Sequence, residues 1–87
     1  MSGYWLDRLD LPGEQAPGQP LIEIVGNERV LIEHHFGVTE YGCHCICVKV
    51  RSGLVYVQGR ELVLSRMTRQ MLVISGCIET VRLERRG

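Results

Sequence analysis

The residues best suited to chemistry in this 87-residue chain are the run Cys43-His44-Cys45-Ile46-Cys47, with His34, His35 and Cys77 elsewhere. Thiolate and imidazole are good zinc ligands. One reading is therefore a small metal-binding or thiol redox protein built on Cys43, Cys45, Cys47 and Cys77. Strand geometry opposes its simplest form. Along a regular strand the three clustered cysteines share a face, with neighbours about 7 Å apart, whereas tetrahedral zinc needs its sulfurs within about 4 Å of one another. The paired C-x₂-C elements usual in zinc modules are also missing from the chain. The alternative is that cysteine serves as a small hydrophobe on a buried strand face, with no metal and no cofactor.

Catalysis finds little support in the residue types. His34 and His35 adjoin at a strand end, so their rings point to opposite faces, and a catalytic histidine needs a partner within hydrogen-bond reach. Ser52, Ser65 and Ser75 lack a Gly-x-Ser-x-Gly elbow, and the dispersed glycines form no phosphate loop. Five aromatic residues, four of them by residue 41, make no base-stacking platform. Ten basic side chains cancel ten acidic ones, leaving no overall field to draw nucleic acid or anionic lipid. The expectation is a protein that is not an enzyme and takes neither a small-molecule substrate nor nucleic acid.

These residues need strands to position them. A chain of this length makes one domain with one modest core. Residues 1–20 hold all three prolines and read as an irregular N-terminal arm, in which Tyr4-Trp5-Leu6 and Leu9-x-Leu11 are the apolar exceptions. From Leu21 the period is two: Ile22 and Ile24 alternate with Glu23 and Val25, then Val30 and Ile32 with Leu31 and Glu33, across a turn at Gly26-Asn27. Cys43–Arg51, Leu54–Gln58, Leu62–Leu64, Met71–Ser75 and Ile78–Leu83 continue as short strands, with Ser65–Gln70 as a polar connection. The β domain covers residues 21–83, and 84–87 form a charged, fraying tail. About seven short strands with frequent turns predict an all-β fold, a small two-sheet antiparallel sandwich. An internal echo offers a short β-solenoid as the alternative: Ile22-x-Ile24-x-Gly26, Val55-x-Val57-x-Gly59 and Leu72-x-Ile74-x-Gly76 each set a glycine after an apolar pair. The first residues lack the apolar run of a signal peptide, and no window is apolar enough to span a membrane. A soluble cytoplasmic protein with reduced thiols and no direct membrane insertion is expected.

Several of these segments, taken in order, resemble the YabP/YqfC family of endospore-forming bacteria. They are Leu9-Asp10-Leu11-Pro12, Pro20-Leu21-Ile22-x-Ile24-x-Gly26-Asn27 and Val30-x-Ile32-Glu33-His34-His35-x-Gly37-Val38. The second half is similar to the family's glycine-punctuated centre and closing strands, through Ser52-Gly53-x-Val55-x-Val57-x-Gly59 and Met71-Leu72-Val73-Ile74-x-Gly76-x-Ile78. The opening is closer to the YqfC branch. Two departures stand out: His34 occupies a position where the family pattern has asparagine, and Cys43–Cys47 replaces ordinary strand residues.

The resemblance implies an immunoglobulin-like sandwich and a non-catalytic sporulation protein of the mother cell. It would be an adaptor or assembly module binding another sporulation protein, such as a membrane-attached YqfD-like protein, at the forespore membrane. Exposed sheet edges would serve strand addition. A self-assembling structural subunit, a homo-oligomer built by edge pairing, is the other alternative. The expected contact surface is Trp5, Glu33, His34, His35 and Phe36. Trp is enriched at binding hot spots, and a polar cluster beside an aromatic is costly unless solvated or paired.

Overall fold

The structure, a computed structural model, describes residues 19–85. Its elements are β1 (Leu21–Val25), β2 (Arg29–Glu33), β3 (His35–Tyr41), β4 (Cys45–Val50), β5 (Gly53–Met67) and β6 (Met71–Arg85). All ladders are antiparallel, and the strand order across the sheet is β1-β2-β6-β5-β4-β3. The alternation read in the sequence holds in register. Ile22 lies opposite Ile32 and Ile24 opposite Val30, and the same face continues through Leu72 and Ile74 of β6.

The β5–β6 hairpin organises the rest. Each of its strands is 15 residues long, and each serves two neighbourhoods. The first half of β5 carries β4, and the first half of β6 carries β2. Between the halves the β5–β6 register shifts at Gln58/Gly59, Arg60/Val63 and Leu64/Arg66. Such bulges bend a strand and sharpen its twist. Backbones crowd together at the bend: a Cβ on Gly59 would strike the Cys77 carbonyl oxygen, and Gly76, at φ 137°, lies against the Glu61 carbonyl. Only glycine satisfies both positions.

Two outer turns dock on this bend. The Asn27 and Glu28 carbonyls accept the Ile78 and Gly76 N–H groups at 2.8 and 3.1 Å, while His44 and Cys43 accept those of Gly59 and Leu62 at 3.0 and 2.9 Å. The β1–β2 hairpin is to β6 what the β3–β4 hairpin is to β5. The sheet therefore folds across its own middle, and its halves enclose one core. Val30, Ile32, Leu72 and Ile74 come from one half and Ile46, Val48, Val55 and Val57 from the other, joined by Leu62 and Ile78 at the bend. Burying each such side chain contributes about 1.5–3 kcal/mol.

The all-β, antiparallel expectation stands, with corrections. The two-sheet, immunoglobulin-like arrangement is not what the ladders form; hydrogen bonding is continuous through one sheet, because β5 and β6 pass from one half to the other without a break. No parallel pairing exists among the described residues, so the solenoid is excluded. The glycine echo marks a turn at Gly26 and the two sides of the bend at Gly59 and Gly76. Among the described residues six strands replace about seven. Leu54–Gln58 and Leu62–Leu64 merge into β5, which runs on to Met67 through the expected connection, Met71–Ser75 and Ile78–Leu83 merge into β6, and β3 is added. The expected domain end at 83 moves to Arg85, because Glu84 and Arg85 pair with Leu54 and Gly53. Most of the N-terminal arm, residues 1–18, lies outside the described residues, as do the last two residues.

Candidate functional site

A corner between β2 and β3 creates one wall of a surface groove. His34 joins the two strands in a left-handed conformation, φ 64°, and its N–H donates to the Gln70 carbonyl at 2.6 Å. This kink separates the three side chains that follow Glu33. His34 is exposed, His35 turns inward, and Phe36 turns out. The ladder skips from His35 to Gly37, leaving Phe36 as the extra residue of a bulge. Bulges re-aim side chains, and here the result is a phenylalanine 62% exposed.

His35 is only 7% exposed. Its Nε2–H donates to the Thr68 carbonyl at 2.9 Å, tying the corner to the tip of the β5–β6 hairpin. The ring is then the Nε2–H tautomer, with Nδ1 as an acceptor. Nδ1 is buried and has no partner among the described residues, so His35 is a costly residue for this place; an unsatisfied buried acceptor costs about 1–3 kcal/mol. The tip itself is braced by Thr68. Its N–H donates to the Met71 carbonyl at 2.7 Å, and its Oγ1 accepts from the Gln70 and Met71 N–H groups at 3.3 and 3.1 Å.

Between corner and tip lies an open groove of ≈ 530 Å³, lined by His35, Phe36, Gly37, Met67, Thr68 and Arg69. Met67 is 48% exposed, on the core-facing side of β5 opposite Leu72. It is left uncovered because the core ends there. Among the described residues β3 is an edge strand, and the side turned from β4 carries no ladder. A second brace crosses that open side lower down, where the Tyr41 hydroxyl accepts the Leu64 N–H at 3.5 Å. The groove and the Tyr41–Leu64 contact both lie between β3 and the second half of β5 or its tip.

Of the contact residues expected from sequence, His35 and Phe36 line the groove. Glu33 is half-buried and sits between Leu21 and Met71 on the outer face. His34 marks the kink without lining the groove. Trp5 lies outside the described residues. Met67, Thr68 and Arg69 were missed because Ser65–Gln70 reads as a polar connection, and no local pattern tells that a hairpin tip reaches a corner more than thirty positions away.

Of the clustered cysteines only Cys47 is buried as a small hydrophobe would be, and Cys43 precedes β4. On β4 the core face belongs to Ile46, Val48 and Val50, and Cys45 and Cys47 alternate onto the other face, opposite Gln58 and Tyr56. Cys47 is buried there; Cys43 is exposed, its Sγ 3.4 Å from His44 Nδ1. Cys77 lies opposite Arg60 across the β5–β6 ladder and accepts from the Arg60 Nη2 at 3.2 Å. Among the described residues, no group of three or more His, Cys, Asp or Glu is placed to hold a metal ion. Burial, reinforced by Glu40 and Cys47 and opposed by Arg82, raises the Cys45 thiol above its ordinary pKa.

Fold and groove together define a small all-β domain, a single antiparallel sheet bent over its own core, with an apolar cleft at one corner. The model of the YabP family matches residues 17–87, and the chain belongs to that family. It is similar to the uncharacterized protein YqfC of Bacillus subtilis (strain 168), 25% identical over 79 residues that cover 90% of this chain and 85% of the relative. No solved structure matches. Family membership suggests a sporulation-related protein.

Proposed function

We propose that this protein is a non-catalytic adaptor of sporulation, holding another sporulation protein in the groove between the β2–β3 corner and the β5–β6 tip. The observation that carries this reading is the Phe36 bulge. An aromatic side chain is held out in solvent by a backbone irregularity, beside an uncovered Met67 and an edge strand with free backbone groups. Aromatic residues and methionine are enriched in interface cores, and an open strand edge offers main-chain hydrogen bonds to an incoming segment. A membrane-attached partner of the YqfD type, recruiting the domain from the mother-cell cytoplasm to the forespore membrane, fits this role.

The test is a pull-down from sporulating cells with the tagged full chain and with a Phe36→Ala/Met67→Ala variant. A membrane-associated sporulation protein recovered by the parent and lost by the folded variant is the expected result. Equal recovery by both would place the contact elsewhere and sink the reading.

A further inference from the structure

We infer that the occupant of the groove is an extended segment of a partner protein in which an apolar anchor is flanked by carboxylates. This rests on the adaptor reading and goes beyond it by naming the chemistry of the partner. Three features of the groove converge on it.

The first is charge. Among the described residues, Arg69 is the one charged residue in the lining, and no carboxylate shares the lining with it. Arg66 stands exposed nearby on the outer face of the same hairpin arm. Among the described residues, neither arginine makes an ion pair, in contrast to Arg60 with Glu79 and Arg82 with Glu84. The Arg69 guanidinium, beside the cleft and without an ion pair among the described residues, suits a carboxylate, which it can grip with two parallel hydrogen bonds.

The second is shape. Exposed Phe36 and Met67 both line the open groove, so an apolar side chain laid in it can meet both. The third is the backbone. The open edge of β3 is broken by bulges at His35/Gly37 and Val38/Glu40, which shortens the run available for strand pairing. A short extended segment satisfies such an edge, and a long added strand does not. A lipid surface is disfavoured by the same facts. Polybasic membrane sites use clusters of four to eight basic residues, and here a single arginine, Arg69, lines the cleft.

The probes are two fluorescein-labelled peptides of about eight residues, one alternating leucine with glutamate and the other leucine with lysine. Both are titrated by anisotropy into the full chain, and the binding site is mapped by amide chemical shifts. Phe36→Ala and Arg69→Glu change exposed side chains, and circular dichroism confirms that both variants fold. The glutamate peptide is expected to bind the parent, to weaken as salt is raised, and to shift the amides of Phe36, Gly37, Thr68 and Arg69. Arg69→Glu should cost it about tenfold in affinity, the ratio typical of losing one charge-assisted contact, and should bring the lysine peptide up to or above it.

Equal binding of the two peptides, or shifts away from the corner and tip, would overturn the inference. So would anionic vesicle binding or concentration-dependent self-association that Phe36→Ala abolishes, which would assign the groove to lipid or to a second copy. The partner recovered from sporulating cells separates this idea from the adaptor reading. Recovery lost with the Phe36→Ala/Met67→Ala variant but intact with Arg69→Glu removes only the acidic occupant. Recovery intact with both removes the adaptor reading as well.

Discussion

Gly76→Ala tests the claim that the fold turns on the bend of the β5–β6 hairpin. Gly76 sits at φ 137°, and a Cβ there would lie 2.5 Å from the Glu61 carbonyl oxygen and 3.0 Å from Leu62 Cα. Two costs combine. A residue with a side chain held in that backbone region costs about 1–3 kcal/mol. The contact with Glu61 is backbone on backbone, so it is relieved only by opening the bend, which also strains the Gly76 N–H bond to the Glu28 carbonyl. A total loss of about 3 kcal/mol follows, with the net hydrogen-bond share near 1 kcal/mol. For a domain of this size that lowers Tm by roughly 12–24 °C.

Gly42→Ala is the matched control. Its Cβ would meet only the Cys45 carbonyl oxygen at 3.6 Å, ordinary van der Waals contact, and the change should stay within about 0.5 kcal/mol. Urea and thermal unfolding followed by circular dichroism measure both variants. If Gly76→Ala is as stable as Gly42→Ala, the crowded bend is not what holds the two halves together, and the reasoning fails.

Three further outcomes follow from particular residues. Ile74→Ala, at the centre of the core, should cost about 2–5 kcal/mol, while Val63→Ala on the exposed face should cost less than about 0.5 kcal/mol; similar losses in urea would mean the core is misplaced. His35→Phe removes the buried, unpartnered Nδ1 and with it a penalty of about 1–3 kcal/mol, at the loss of one hydrogen bond worth about 1 kcal/mol. Stability should hold or rise, and a fall beyond about 1 kcal/mol would show the Thr68 link to be structural. The thiols should react in order: mass spectrometry of alkylation near pH 8 should find exposed Cys43 modified first, and buried Cys47 only on unfolding. Cys45 should require higher pH, because its thiol is held above the ordinary value, chiefly by burial. Since the folded state favours the protonated thiol, Cys45 contributes stability that is present below the unfolded pKa and lost as pH rises through the folded one. Equal labelling of Cys43 and Cys45 near pH 8 would contradict this.

Periodicity made most of the strands legible, because a half-buried sheet face writes itself as alternation. Ile22, Ile24, Val30 and Ile32 specify both their strands and their register. The bend was invisible for a physical reason: Gly59 and Gly76 punctuate the apolar pattern as turns would, yet the strands pass straight through them. Even the echo that suggested solenoid coils had a real cause, two hairpins docked in equivalent ways on β5 and β6. At the groove, the exposed aromatic was legible in kind, but the left-handed kink at His34 that sets it there was not. The far wall at Met67–Arg69 depends on long-range contact that no local pattern encodes. For the cysteines, alternation places Cys45 and Cys47 on one face of β4, with Cys47 buried, while Ile46, Val48 and Val50 take the core face and Cys43 lies before the strand.

The strand order also has a kinetic consequence. Among the described residues four of the five ladders join strands adjacent in sequence, and only β2–β6 links distant parts, with Glu33 opposite Met71. Residues 35–85 can thus form as a chain of successive hairpins, each closing a short loop, while the N-terminal hairpin waits for one long closure. Until that closure, the apolar face of β6 is an unfilled berth. At high concentration, the first hairpin of a neighbouring chain competes for it, hinging at His34. Exchange of β1–β2 between molecules is accordingly the misassembly to which this topology is most open.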